Sequence, residues 1–143
     1  MKYPIWYTEK GMTGGTIGWQ YCFLLAIHPD YKGDEGLRQH ELTHIAQWAF
    51  TALLVGGILF VGVYFLAKFI PWTYGITMGL IATGAHGALY ARLPAYRFWC
   101  EVMAFKKQLR YYPDDRALKF ADFISRNYKL DVSFAEALER LRS

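Results

Sequence analysis

The chain has 143 residues, which suits one domain with a modest core. Hydrophobic residues make up 54% and charged residues 20%, and the apolar excess is concentrated in one stretch rather than spread along the chain. The net charge of +4 would suit nucleic acid or an anionic membrane surface, but no nucleic-acid-binding motif accompanies it, so the balance points to a membrane and away from nucleic acid.

Met1 to Glu9 lacks the apolar run of a secretory signal, which argues against export by a cleaved leader. Residues 3–9 alternate and are rich in aromatics, predicting a short strand. Gly11-Met12-Thr13-Gly14-Gly15 reads as a turn. Thr16 to Ile27 reads as one or two further strands, with Gly18 marking a bulge and His28-Pro29-Asp30 ending the apolar run Tyr21–Ile27. The outcome expected is a small antiparallel sheet, which needs a helix packed on it for stability. Cys22 and Cys100 form no C-x-x-C pair and fit either one disulfide or two reduced buried thiols.

Asp34 is placed to cap a helix starting near Glu35. That helix carries Arg38-Gln39-His40-Glu41-Leu42-Thr43-His44, with His40-Glu41-x-x-His44 inside it. Residues four apart on a helix lie on one face, so His40 and His44 can bind one metal ion. Glu41 is one step round the helix, where it can reach a water on that ion and act as general base. Gln47 and Thr51 continue the face of the histidines.

From Trp48 the sequence changes character. Trp48 to Ala67 is twenty residues without Lys, Arg, Asp or Glu, about 30 Å of helix and so one bilayer core. Pro71 to Ala91 is a second uncharged run, with Trp and Tyr near the ends of both. Within it Gly75, Gly79, Thr83, Gly87 and Ala91 recur every fourth residue, a small-residue stripe that lets a neighbouring helix approach. Ala52 and Gly56 on the first run are expected to face it, and a homo- or hetero-oligomer through the same stripe is the other use it suggests. The pair reads as a transmembrane helical hairpin in contact with lipid around 48–91; a buried hairpin in a soluble oligomer is the alternative. His86, the one ionisable group inside, reads as a buried neutral histidine facing the partner helix.

Beyond Pro94 three amphipathic helices are expected: Ala95 to Leu109, one opened by Pro113-Asp114-Asp115 and running to about Asn127, and a short one after the capping box Ser133-Phe134-Ala135-Glu136. Phe98, Glu101, Ala104, Phe105 and Gln108 share a face of the first; Leu118, Ala121 and Ile124 face inward on the second, Leu138 and Leu141 on the third. Two histidines need a third protein ligand for zinc. Glu101 stands in an otherwise apolar stretch, where a carboxylate is costly to bury unless paired or metal-bound. An outward and returning hairpin brings it back to His44 across 56 intervening residues. A salt bridge to Arg97 is the competing role for Glu101, and His28, Cys100 and His86 are the rival ligands.

The run Leu37 to Trp48, with Glu101-Val102-Met103-Ala104-Phe105 later, resembles the gluzincin metallopeptidases, above all the compact minigluzincins, including small versions common in bacteriophage genomes. The resemblance covers roughly residues 1–48 and 95–143. It implies an α+β fold in which the small sheet packs on the H-E-x-x-H helix and a later helix supplies the glutamate. It also implies Zn²⁺ on His40, His44 and Glu101, with Glu41 as general base. A peptide substrate would add as a strand near Tyr21–Ile27. Tyr111 and Tyr112 are the candidates for steadying an oxyanion. Phe105 stands where many members have an acidic residue, and the hydrophobic insert departs from the minimal pattern.

The organisation expected is therefore 1–47 as sheet and H-E-x-x-H helix, 48–94 as hydrophobic hairpin, and 95–143 as the glutamate helix and bundle that complete the domain. The function expected is zinc-dependent peptide hydrolysis by a membrane-anchored enzyme. Arg92, Arg97, Lys106, Lys107 and Arg110 against Lys68 alone place the catalytic part on the cytoplasmic side. The alternative is a non-catalytic structural or membrane-penetrating component, such as part of a phage virion.

Overall fold

The computed structural model describes residues 3–10, 12, 17–67, 72–128 and 130–143. The turn predicted at 11–15 and Lys68 lie mostly or wholly outside these residues. The protein is a mixed α+β chain, mostly helical. Among the described residues three short strands, β1 (Trp6–Tyr7), β2 (Gly18–Tyr21) and β3 (Leu24–Ile27), form a sheet in the order β1-β3-β2.

The sheet is mixed rather than antiparallel. β2 and β3 pair antiparallel, Gly18 with Ile27 through Tyr21 with Leu24. They are joined by the two-residue turn Cys22-Phe23, with Cys22 at φ 54°, the left-handed conformation such a turn requires. β1 takes the other side of β3 and runs parallel to it. Ala26 and Ile27 are consequently paired on both sides, so that end of the Tyr21–Ile27 stretch has no free edge, and β1 and β2 are the outer strands. Gly18 pairs in regular register, so it marks no bulge; its role lies elsewhere.

α1 (Glu35–Ala67) starts at Asp34, whose Oδ1 accepts the Leu37 N–H at 2.8 Å. Leu37 meets Leu25 and Ile27, sealing the sheet against the first turns of the helix. The helix runs unbroken across residues 47 and 48 for 33 residues, about 50 Å. It packs on α2 (Trp72–Arg92) and α3 (Pro94–Leu109), and on β2 and β3.

Among the described residues α1 is the one helix long and apolar enough to cross a membrane by length and composition, and only 6% of its most apolar window is buried. Phe50, Leu53, Ile58, Phe60 and Phe65 are exposed on it, as are Ile76, Leu80 and Ile81 on α2. α2 turns Ala82 and His86 inward. Gly56 meets Ala82, while Gly75, Gly79 and Gly87 look into open space, so the small-residue stripe does not face Gly56 as expected. Polar pairing fits this rotation: the Trp48 indole donates to Thr83 O at 2.9 Å, and His86 Nδ1 lies 2.9 Å from Tyr96 OH.

The main core lies beyond the helix pair. α3 packs with α4 (Ala117–Asn127) and α5 (Phe134–Arg142) around Val102, Phe105, Phe120, Ala121, Ile124, Leu130, Ala137 and Leu141. The inward face of α4 is Ala117, Phe120, Ala121 and Ile124; Leu118 is exposed, because a 3.6-residue period centred on Ala121 carries position 118 off the face. Ser133 caps α5, accepting the Glu136 N–H at 3.2 Å.

Candidate metal centre

His40, His44 and Glu101 converge at the junction of α1 and α3. One donor atom from each lies within 4.8 Å of the others, and all three side chains are buried. His40 Nε2 and His44 Nε2 are 3.1 Å apart. Glu101 Oε1 is 3.5 Å from His44 Nε2, and Oε2 is 3.7 Å from His40 Nε2. Ligand bonds of about 2.0–2.1 Å to one ion put donors roughly 3–4 Å apart, so the spacing fits a single metal. Ala104, fully buried one turn after Glu101, leaves room for α1 to approach.

The chemistry of the three atoms also calls for a cation. His44 Nδ1 is 2.9 Å from Gln47 Oε1, while Gln47 Nε2 donates to Cys100 O at 3.0 Å. A backbone carbonyl only accepts, so the amide nitrogen must face Cys100 and the amide oxygen must face the histidine. His44 therefore carries its proton on Nδ1 and directs a lone pair from Nε2 into the centre. Glu101 is 1% exposed, and its Oε2 is buried without a hydrogen-bond partner. The arginine ion pairs of the described residues lie elsewhere, and Arg97 instead donates to the carbonyls of Tyr90, Ala91 and Tyr128. Among the described residues the carboxylate thus faces two imidazoles and forms no ion pair with Lys or Arg. Such a site is costly unless a cation fills it.

Glu41 is buried beside this group and rests on β2. A Cβ on Gly18 would come within 2.7 Å of Glu41 Oε1. Glycine at 18 is needed for that close approach, not for a bend in the strand. Burial, and then the charge of Glu101, push the Glu41 carboxyl up to about 8. Burial also holds His40 well below its ordinary value, with the neighbouring His44 adding to the effect.

Two tyrosines that sequence reading did not single out lie near Glu101. The Tyr90 hydroxyl, near the end of α2, donates to Oε1. Tyr128, just past α4, stands near Glu101, and its phenol is raised by burial and then by the glutamate's charge. Tyr90 stands four residues after His86 on the last turn of the apolar run, a placement that hinted at more than an interfacial aromatic; the turn at Tyr128 carried no such signal. The expected tyrosines lie apart: Tyr111 is exposed, and Tyr112 binds Asp34 at 2.9 Å.

The rival ligands are otherwise engaged. His28 Nδ1 accepts the Asp30 N–H at 3.3 Å. Cys100 is a fully buried thiol that burial raises to about 11, and like Cys22 it is free. His86 and Thr51 share the Tyr96 hydroxyl, at 2.9 and 2.8 Å. Searches of protein-family models, curated proteins and solved structures find no match to this chain.

Proposed function

We propose that this protein is a zinc metallopeptidase of gluzincin type, held at a membrane by the α1–α2 pair. The observation that carries the reading is the buried acceptor set His40, His44 and Glu101 with the Glu41 carboxyl beside it. Zinc bound there would supply Lewis acidity, polarising a scissile carbonyl and making a water acidic near neutral pH. Glu41, beside those three residues, would take a proton from the attacking water and pass it to the leaving amine. Tyr90 holds Glu101 in place. A peptide laid as a strand along the free edge of β2 would pass Gly18 and hence Glu41.

The membrane part of the reading is supported by the exposed apolar surface of α1 and α2 and by the absence of Lys, Arg, Asp and Glu over 48–67. Arg92, Arg97, Lys106, Lys107 and Arg110 at the base put the catalytic part in the cytoplasm. Glu41 is nine residues, about 14 Å along the helix, from Phe50, the first exposed apolar residue of the α1 arm. The bond cut therefore lies close to the lipid surface.

Wild type and Glu41→Ala, purified in detergent, are to be compared for cleavage of a broad peptide library and for zinc content. The expected outcome is zinc in both and cleavage by wild type alone, with at least a 100-fold difference on the order of a lost general base. Zinc without any cleavage would contradict the enzyme and leave a structural or membrane-penetrating component, for which the exposed helix pair would be the working part.

A further inference from the structure

The turn that joins β2 to β3 displays apolar side chains where a hairpin tip in water ordinarily carries polar ones. No Lys, Arg, Asp or Glu stands between Lys10 and Asp30. Tyr21 is 69% exposed and Phe23 61%, and Leu24, paired with Tyr21, is exposed as well. The tip also has a definite place. The Phe23 ring lies 6.4 Å from the ring of Trp48. Trp48 opens the uncharged run of α1, and the exposed Phe50 follows two residues later, about 3 Å along the axis. The tip therefore sits at the level where the apolar surface of the arm begins.

The backbone of the turn favours lipid over a protein partner. A carbonyl that enters a bilayer has to bring its hydrogen-bond partner with it, whereas a protein docking on a hairpin gains from carbonyls left open. Both turn carbonyls are satisfied from within the chain: Gln20 Nε2 donates to Cys22 O, and the Tyr3 hydroxyl donates to Phe23 O. Tyr3 packs on the cluster of Leu25, Ile27 and Leu37, so the group that closes the tip is held by the core between the sheet and α1.

We propose that the tip Tyr21–Leu24 is a second membrane contact, dipping into the lipid interface beside the foot of the arm. Such a contact presupposes the membrane reading of α1 and α2. Tyr21 and Trp48 are the residue types that settle at a lipid–water boundary, and Phe23 adds an apolar ring beyond them. A helix pair alone fixes the height of a domain and leaves it free to tilt; a contact from the sheet removes that freedom. Tyr21 is the lipid end of β2, and Gly18, which rests against Glu41, is three residues or roughly 10 Å up the same strand. The tip thus sets how far from the lipid the Glu41 carboxyl works.

Native Cys22 offers a probe position that leaves the apolar side chains intact, because the other free cysteine, Cys100, is fully buried. The full chain with a fluorophore on Cys22 is to be reconstituted into vesicles of phosphatidylcholine and phosphatidylglycerol. Quenching is then measured with nitroxides on the lipid headgroup, nitroxides at mid-chain, and iodide in the water. A chain with Cys22→Ser and Ile58→Cys carries the same fluorophore on the exposed face of the arm. The Cys22 probe is expected to lose its fluorescence to the headgroup nitroxide and to resist iodide, and the Ile58 probe to lose it to the mid-chain nitroxide. Adding Tyr21→Ser and Phe23→Asp is expected to raise iodide quenching of the Cys22 probe several-fold and to leave the Ile58 probe unchanged. Iodide reaching the Cys22 probe while lipid quenches the Ile58 probe overturns the tip and leaves the arm. Lipid quenching at Cys22 that the added substitutions do not change overturns the tip as well, since the fluorophore would then be what inserts. A Cys22 probe shielded from lipid and water alike overturns it in favour of a protein partner, a second copy included. Iodide reaching both probes removes arm and tip together, and lipid quenching at Cys22 alone keeps the tip and loses the spanning arm.

Discussion

The bundle of α3, α4 and α5 and the arm made by the second half of α1 with α2 use the same kinds of residue in opposite ways. In the bundle Phe105, Phe120 and Ile124 are buried and charged side chains cover the outside, as with Arg126 on Asp122 and Arg142 on Asp115. In the arm Phe50, Leu53, Ile58 and Phe65 point outward, while the groups turned inward are the small Ala82 and the polar Thr51 and His86 around Tyr96 OH. A water-soluble module hides its apolar side chains and a lipid-soluble one can display them. The candidate metal centre lies where the two arrangements meet, drawing its histidines from the helix that becomes the arm and its glutamate from the helix that starts the bundle.

Truncation sharpens that contrast most strongly. Ile124→Ala opens a cavity in the bundle and is expected to cost ~2–5 kcal/mol, read by chemical denaturation in detergent. Leu53→Ala, at a side chain 77% exposed on the arm, is expected to stay within ~0.5 kcal/mol in the same assay. Comparable losses would mean that the arm is packed against protein rather than lipid, and the contrast would fail.

A smaller effect concerns the junction. Glu41 is raised from 4.5 to about 8 in the folded chain. Between those values the unfolded chain gives up its proton and the folded chain keeps it. The metal-free protein therefore has the full Glu41 contribution below pH 4.5 and loses it as pH climbs to about 8. Glu41→Gln should melt several degrees above wild type at pH 8 without metal, the gap closing toward pH 4.5. His40, lowered by burial, acts in the opposite sense, weakening the fold as pH falls below 6.5, so the difference between the two proteins isolates Glu41. A gap that does not change with pH would show that Glu41 is not held protonated in the fold.

Much of this was legible because the signals are local. Helical spacing put His40 and His44 on one face, the Asp34 and Ser133 caps announced two helix starts, and an uncharged run of twenty residues announced the arm. Glu101 was legible through its cost: a carboxylate in an apolar stretch asks for a partner, and the partner proved to be the histidine pair rather than Arg97. What the sequence hid was mostly three-dimensional. The parallel pairing of β1 depends on which side of β3 is left open. The rotation of α2 depends on where Trp48 and His86 find polar partners. The reach of Tyr90 to Glu101 depends on helix packing that no spacing rule encodes. Gly18 shows the limit best: glycine in a strand signals either a bulge or a close approach, and only the Glu41 carboxyl against it decides which.

The central claim is that His40, His44 and Glu101 make one metal centre at the foot of the apolar arm. Metal content of the full chain, purified in detergent and measured by elemental analysis beside Glu101→Gln, tests it most directly. The account predicts one zinc per wild-type chain, retained through dialysis, and affinity lowered by about 100-fold or more in the variant, which keeps the shape of the side chain and removes its charge. A wild-type chain that holds no metal after zinc is supplied, or a variant that holds it as tightly, would contradict it.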